Sequence, residues 1–186
     1  MKNRLFGNEV GRMPDSVFWI MKQMFKIYYL INPVDKYISK FGIKPGDTVV
    51  DYGCGPGAFI ISASNLVGEK GLVYAVDLHE MAISAVNDLI RNKNLRNVKP
   101  VLADDNGVAI PDKTADVVFA IDMFHMVKES EIFLKEICRI TKNGGILIIE
   151  DGHQPRSLTV EKIKRSGCWN ITEEQKRYLK CSPVKH

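Results

Sequence analysis

Apolar residues fall along this chain in two rhythms. From Val17 to Leu30 nearly every position is apolar except Lys22, Gln23 and Lys26, whose spacing of three and four puts them on one helical face. That predicts a helix capped by Asp15 or Ser16. A second short helix, Val34 to Phe41, follows Asn32-Pro33. From Thr48 the rhythm changes to short β-branched runs: Thr48–Tyr52, Leu72–Asp77, Val98–Leu102, Asp116–Ile121 and Ile146–Glu150. Between them lie amphipathic stretches, Ala58 to Leu66, Glu80 to Asn92 and Ser130 to Ile140, and a basic helix from Ser157 to Arg165 follows. In the second of these, Met81, Ala85 and Leu89 face inward, joined by Ile83, Val86 and Ile90. Lys142-Asn143-Gly144-Gly145 reads as a helix-to-strand turn. Cys168–Ile171 and Tyr178–Ser182 read as two last strands joined by the polar turn Thr172–Gln175.

Strands alternating with helices predict an α/β fold with a doubly wound parallel sheet. Right-handed crossovers place the loops after the strands at one edge, where such sheets bind ligands. The stretch Val49-Val50-Asp51-Tyr52-Gly53-Cys54-Gly55-Pro56-Gly57-Ala58-Phe59 is the obvious ligand loop. It is a strand ending on an aspartate, three glycines on alternate positions, then a helix whose N–H groups would face the ligand.

Composition changes this picture little. The 186 residues suit one domain, with residues 1–41 as arm and helical cap and 42–186 as core. A net charge of +4 gives no concentrated basic face, so a nucleic-acid partner is not expected; Lys162, Lys164 and Arg165 read as a solvated face. Cys54, Cys138, Cys168 and Cys181 form no CxxC pair, and the histidines complete no zinc pattern, so no metal is expected and the thiols read as reduced in a cytoplasmic protein. No signal peptide is visible, and Val17–Ile31 is too short and too charged to span a bilayer. It reads instead as a core helix, a lid over a pocket or an interfacial helix.

Three acids stand at or just after strand ends: Asp51, Asp77 and Asp104. A carboxylate at Asp77 suits the two hydroxyls of a ribose, or a helix cap. Asp104, with Asp105 and Asn106, suits an exocyclic amine of adenine, or a turn. The loop itself is ambiguous, because Gly53-x-Gly55-x-x-Ala58 also satisfies a dinucleotide fingerprint. Yet Asp51 is awkward beside a pyrophosphate, and Pro56 removes a donor. Asp51 instead suits a positive group such as the amino end of methionine.

These residues carry a family resemblance. Val49 to Gly57 resembles the first motif of class I S-adenosylmethionine (SAM)-dependent methyltransferases, and Val73-Tyr74-Ala75-Val76-Asp77 their second. Ala103-Asp104 through Ile110-Pro111 resembles the third, while Asp116–Phe119 and Asn143–Leu147 resemble the later strands. Within the class the chain is most similar to the ubiquinone-biosynthesis-type and arsenite-type branch of small-molecule methyltransferases. The resemblance implies a Rossmann-like sheet of seven strands in the order 3-2-1-4-5-7-6 with strand 7 antiparallel. It implies that Gly53, Gly55 and Gly57, with Tyr52 and Cys54, lie against the methionine part of SAM and that Asp51 holds its amino group. Asp77 would then bind the ribose, Leu78 and Met81 would flank adenine, Asp104 and Asp105 would meet its amine, and Ile121 would approach the methionine portion.

The implied reaction is in-line displacement of methyl from a sulfonium, which rests on alignment and needs a base only when the acceptor carries a proton of high pKa. His125 and His153, after the fourth and fifth strands, are the candidates for that base, and Tyr28 for a hydrogen bond to substrate; Asp122 either faces the pocket or caps its turn. The expected partner is a small-molecule methyl acceptor, and the expected assembly a monomer or homodimer. A matching set of reactive cysteines for arsenic chemistry is absent, and Ile121-Asp122-Met123-Phe124-His125 departs from the motif of DNA amino-methyltransferases. An NAD-dependent oxidoreductase and a non-catalytic SAM-binding module are the alternatives.

Overall fold

The structure is a computed structural model that describes residues 34–104 and 107–185. The expected helix over Val17–Leu30, with Tyr28, and the loop residues Asp105 and Asn106 lie outside the described residues. A helical turn, α1 (Val34–Ile38), runs into a 3-10 turn at Ser39–Phe41. Then come β1 (Thr48–Tyr52), α2 (Ile60–Val67), β2 (Leu72–Asp77), α3 (Glu80–Lys93) and β3 (Val98–Leu102). After these follow β4 (Ala115–Ala120), a 3-10 turn at Phe124–Met126, α4 (Ser130–Ile140), β5 (Thr141–Glu150), α5 (Arg156–Ser166), β6 (Trp169–Glu174) and β7 (Tyr178–Pro183). The strands form one sheet in the order β3-β2-β1-β4-β5-β7-β6, with β7 antiparallel to both neighbours. This is the expected doubly wound Rossmann-like topology.

The chain divides into two compact units at residue 104. In the first, β1, β2 and β3 pair in parallel, and α2 and α3 pack on β2. Val49, Val50, Val73, Ala75 and Val76 are fully buried, as β-branched residues covered on both faces should be. On α3 the buried residues are Ala82, Ala85 and Val86. Met81, Ile83, Leu89 and Ile90, expected inward, are only half-buried, because small side chains occupy the line of closest approach. The helix begins at His79, whose Nδ1 accepts the Met81 N–H, and ends on Asn94 in left-handed conformation.

In the second unit, β4 pairs with β5 in parallel, and Phe133, Leu134, Ile137 and Ile140 of α4 are fully buried. Two boundaries differ from the sequence reading. The expected turn Lys142–Gly145 lies inside β5. Its register with β4 jumps there, Ala115 pairing with Thr141 and Val117 with Ile146, so the segment is a bulge. Gly145 is required in it, since a Cβ would come within 2.9 Å of the Asp116 carbonyl oxygen and 3.0 Å of that of Ala115. Lys142 Nζ meets both Asp116 carboxylate oxygens at 2.8 Å. Likewise β6 continues through the expected turn to Glu174; Gln175 N–H donates to Tyr178 O at 2.9 Å and makes the hairpin three residues later than the polarity suggested.

Candidate functional site

The glycine loop grows directly out of β1 and is held by β2. Gly53 N–H and Cys54 N–H both donate to the Val76 carbonyl, at 2.8 and 2.9 Å. Gly55 N–H donates to Asp77 Oδ2 at 2.8 Å, and Gly57 N–H to Cys54 O at 3.0 Å. Gly53, Gly55 and Gly57 all have positive φ, at 80°, 50° and 86°. These four loop amides are used to hold the loop's own shape. What the loop presents instead is space. A Cβ on Gly55 would meet nothing within 4 Å, whereas one on Gly57 would press on Leu89 at 3.2 Å and Val86 at 3.3 Å. Gly55 faces open space and Gly57 faces α3. The helix α2 also begins at Ile60 rather than Ala58, because the loop runs on as a turn through residues 56–59.

Two carboxylates converge on this loop. Asp51 is buried, with 1 % of its surface exposed, and its Oδ2 has no hydrogen-bond partner among the described residues. Burial, and then the charge of Asp77, push its pKa well above the usual carboxylate range. Asp77 is also raised by burial, opposed by the His79 and Gly55 N–H groups. Its Oδ1 accepts from His79 N–H at 2.9 Å while Oδ2 accepts from Gly55. Asp77 is thus a brace for the loop as well as an acceptor with lone pairs to spare. Burial and the charges of Asp51 and Asp77 keep the Cys54 thiol protonated; it packs at 4 % exposure as a small apolar group. Leu78 and Met81, the residues expected beside adenine, are half-buried next to Asp77 in sequence, and Tyr52 is buried.

A pair of crowded, desolvated carboxylates with an unsatisfied oxygen is unfavourable by itself and favours a cation. This fits the ammonium and sulfonium groups of SAM, and the inward-turned amides do not fit a pyrophosphate. In the second unit, Ile121 is buried at the end of β4. Asp104 is exposed, its backbone paired with Gly107 in both directions at 3.1 and 3.2 Å. His125 and His153 come together, with ring centroids 4.8 Å apart, although the loops that bear them follow different strands. Burial lowers the His125 pKa, opposed by Asp122 and reinforced by His153 and Lys162, so its imidazole is neutral at pH 7.

Lys162 was read from sequence as part of a solvated face. It is half-buried, donates to Gln154 Oε1 at 2.8 Å, and lies 5.2 Å from the centre of the Phe124 ring. Gly152 was also missed. Its φ is 63°, and a Cβ there would come 2.0 Å from His125 Nδ1, so the residue makes room for that ring. The only sequence signal was a glycine just past a strand end.

The strand order, the glycine loop after β1 and the acids ending β1 and β2 define the class I SAM-dependent methyltransferase architecture. The chain belongs to this family: the model of the methyltransferase domain matches residues 43–182, and the cofactor is SAM. Among curated proteins, the ubiquinone/menaquinone biosynthesis C-methyltransferase of Teredinibacter turnerae is 29% identical over 135 residues, covering 72% of this chain and 54% of its own. The enzyme of the same name from Shewanella sediminis is 28% identical, covering 83% of this chain and 66% of its own. The chain thus spans about half to two-thirds of the length of these relatives. A SAM-dependent methyltransferase structure from Aquifex aeolicus, 28% identical, superposes with a TM-score of 0.69 over 85% of this chain and 96% of that one.

Proposed function

We propose that this chain transfers the methyl group of SAM to a small-molecule acceptor by in-line displacement. The observation that carries the reading is the buried Asp51 carboxylate, with an oxygen that no group among the described residues satisfies, beside a glycine whose missing Cβ leaves open space. Asp51 would take the ammonium of the methionine moiety, Gly55 would let that moiety lie against the backbone, and Asp77 would accept from the ribose hydroxyls. Leu78 and Met81 would flank the adenine, with Asp104 and Asp105 at its amine and Ile121 beside the methionine portion.

Methyl transfer leaves a neutral thioether at sulfur, so the protein's work is to align acceptor, methyl and sulfur and to keep water out. Where the acceptor carries a proton, His125 or His153 takes it; neutral His125 is in the right state for a base. Tyr28 would hydrogen-bond the acceptor. The relatives named as C-methyltransferases make a carbon acceptor the first to assay. Four free thiols support a cytoplasmic setting. Among the described residues no helix is long and apolar enough to cross a membrane.

Calorimetry with SAM, its demethylated product S-adenosylhomocysteine and NAD tests the reading. We expect micromolar binding of the first two, about −8 kcal/mol. NAD binding without SAM binding would overturn it. SAM binding without methyl transfer to any acceptor, tested with methyl-labelled SAM, would reduce the chain to a SAM-binding module.

A further inference from the structure

Two loops of the second unit meet in a way that no short motif announces. After β4 the chain turns through Asp122, whose φ of 53° is left-handed backbone at a non-glycine residue. The 3-10 turn Phe124–Met126 then delivers His125. After β5, Gly152 turns the second loop and delivers His153. One donor atom from each of Asp122, His125 and His153 lies within 4.8 Å of the other two. The imidazole rings meet edge to face at 89°, and His153 Nε2 is 4.0 Å from Asp122 Oδ1. Among the described residues His125 Nδ1 has no hydrogen-bond partner; it is buried and lies against Gly152.

We propose that Asp122, His125 and His153 form a binding site for one divalent first-row transition metal ion, Zn2+ foremost. The donor set decides the class of ion. Two imidazole nitrogens and one carboxylate suit Zn2+ and its neighbours, whereas Ca2+ and Mg2+ require shells of oxygen. The geometry is nearly in place. Donors around a tetrahedral zinc, at about 2.0–2.1 Å from it, stand roughly 3.3 Å apart. The widest separation in the cluster therefore has to close by up to about 1.5 Å, and His153, with 82 % of its side chain exposed, has room to rotate inward. The nearby cation, Lys162, is tied to Gln154 and to the Phe124 ring.

Three protein ligands leave at least one position open, the pattern of a catalytic rather than a structural site. An acceptor hydroxyl or enol held there would have its pKa lowered and lose its proton to solvent water, with His125 and His153 acting as ligands rather than as the general base of the preceding reading. The metal site is testable apart from the methyl-transfer reading, because none of its three ligands is among the residues proposed to hold SAM.

The test is titration of the full chain, freed of metal and of any histidine tag, with Co2+, followed by displacement with Zn2+. The expected result is one Co2+ per chain, with visible d–d absorption that Zn2+ abolishes. His153→Ala removes an exposed side chain, so it leaves the fold intact; it should weaken Co2+ binding by about 100-fold. Asp122→Asn, a residue that tolerates left-handed backbone, should do the same. Unchanged affinity in both variants, no binding by the parent chain, or a thiolate-to-cobalt band that points to the cysteines would each overturn the proposal. SAM affinity of the parent chain, measured beside it, reports separately on the methyltransferase reading.

Discussion

At the residue scale the site is built from charges held where they are unfavourable. Asp51 and Asp77 both have pKa values raised by burial, Asp51 further by its neighbour. Such acids hold more protons in the folded chain than in the unfolded one. Stability of the ligand-free protein therefore falls as pH rises from the ordinary carboxylate pKa through the raised folded values. A bound cation reverses the sign: SAM favours the ionised carboxylates, so its binding should release protons and tighten as pH rises over that interval. Calorimetry in buffers of different ionisation enthalpy, stepped upward from the ordinary carboxylate range to neutral pH, measures this release; proton uptake, or no release anywhere in that interval, would contradict the assignment. Asp51→Asn should reduce the release to the share of Asp77 and weaken SAM by about 1.5–3 kcal/mol, while denaturant melts show the ligand-free chain no less stable than the parent. The acid at Asp51 was legible because an aspartate ending an apolar strand before glycines is costly without a reason. The Asp77–Gly55 brace was not legible, since it joins residues 22 apart.

Within elements, the three glycines of the loop look alike in sequence and differ in what they touch. Gly57 has φ 86° and lies against Leu89 and Val86 of α3. Gly57→Ala combines backbone strain with overpacking and should cost about 2–4 kcal/mol of stability in denaturant melts. Gly55→Ala, with open space around it, should cost only the backbone term, about 1–2 kcal/mol, yet it should weaken SAM by more than it weakens the fold. Equal effects of the two substitutions on SAM affinity would remove Gly55 from the ligand face. Most elements themselves were readable from periodicity, because strands here are β-branched and fully covered while α4 has one clean apolar face. The bulge in β5 was not, because Lys142–Gly145 has turn composition; pairing with β4 and the Lys142–Asp116 contact hold it in the sheet.

For the whole molecule, ligand binding should register as stability. A ligand at 100 times its Kd adds about 2.7 kcal/mol. For a chain of 186 residues that corresponds to a Tm rise of roughly 5–10 °C with SAM or S-adenosylhomocysteine. Thermal melts with each compound check this; no shift under saturating SAM would mean the loop does not bind it. The doubly wound topology followed from the alternation of strand and helix patterns. The antiparallel placement of β7 between β5 and β6 was an expectation of the family resemblance, which the sheet order bears out.

By itself the sequence determined the element types, the class of fold and the loop proposed to meet the cofactor, since each is written in neighbouring residues: period, glycine spacing, an acid at a strand end. Only the tertiary structure decided which loop atoms are spent on the loop itself, which glycine faces outward, and that Asp122, His125 and His153 share one corner. Those facts depend on segments distant in sequence being brought within a few ångströms, and a linear pattern carries no distance between strand ends.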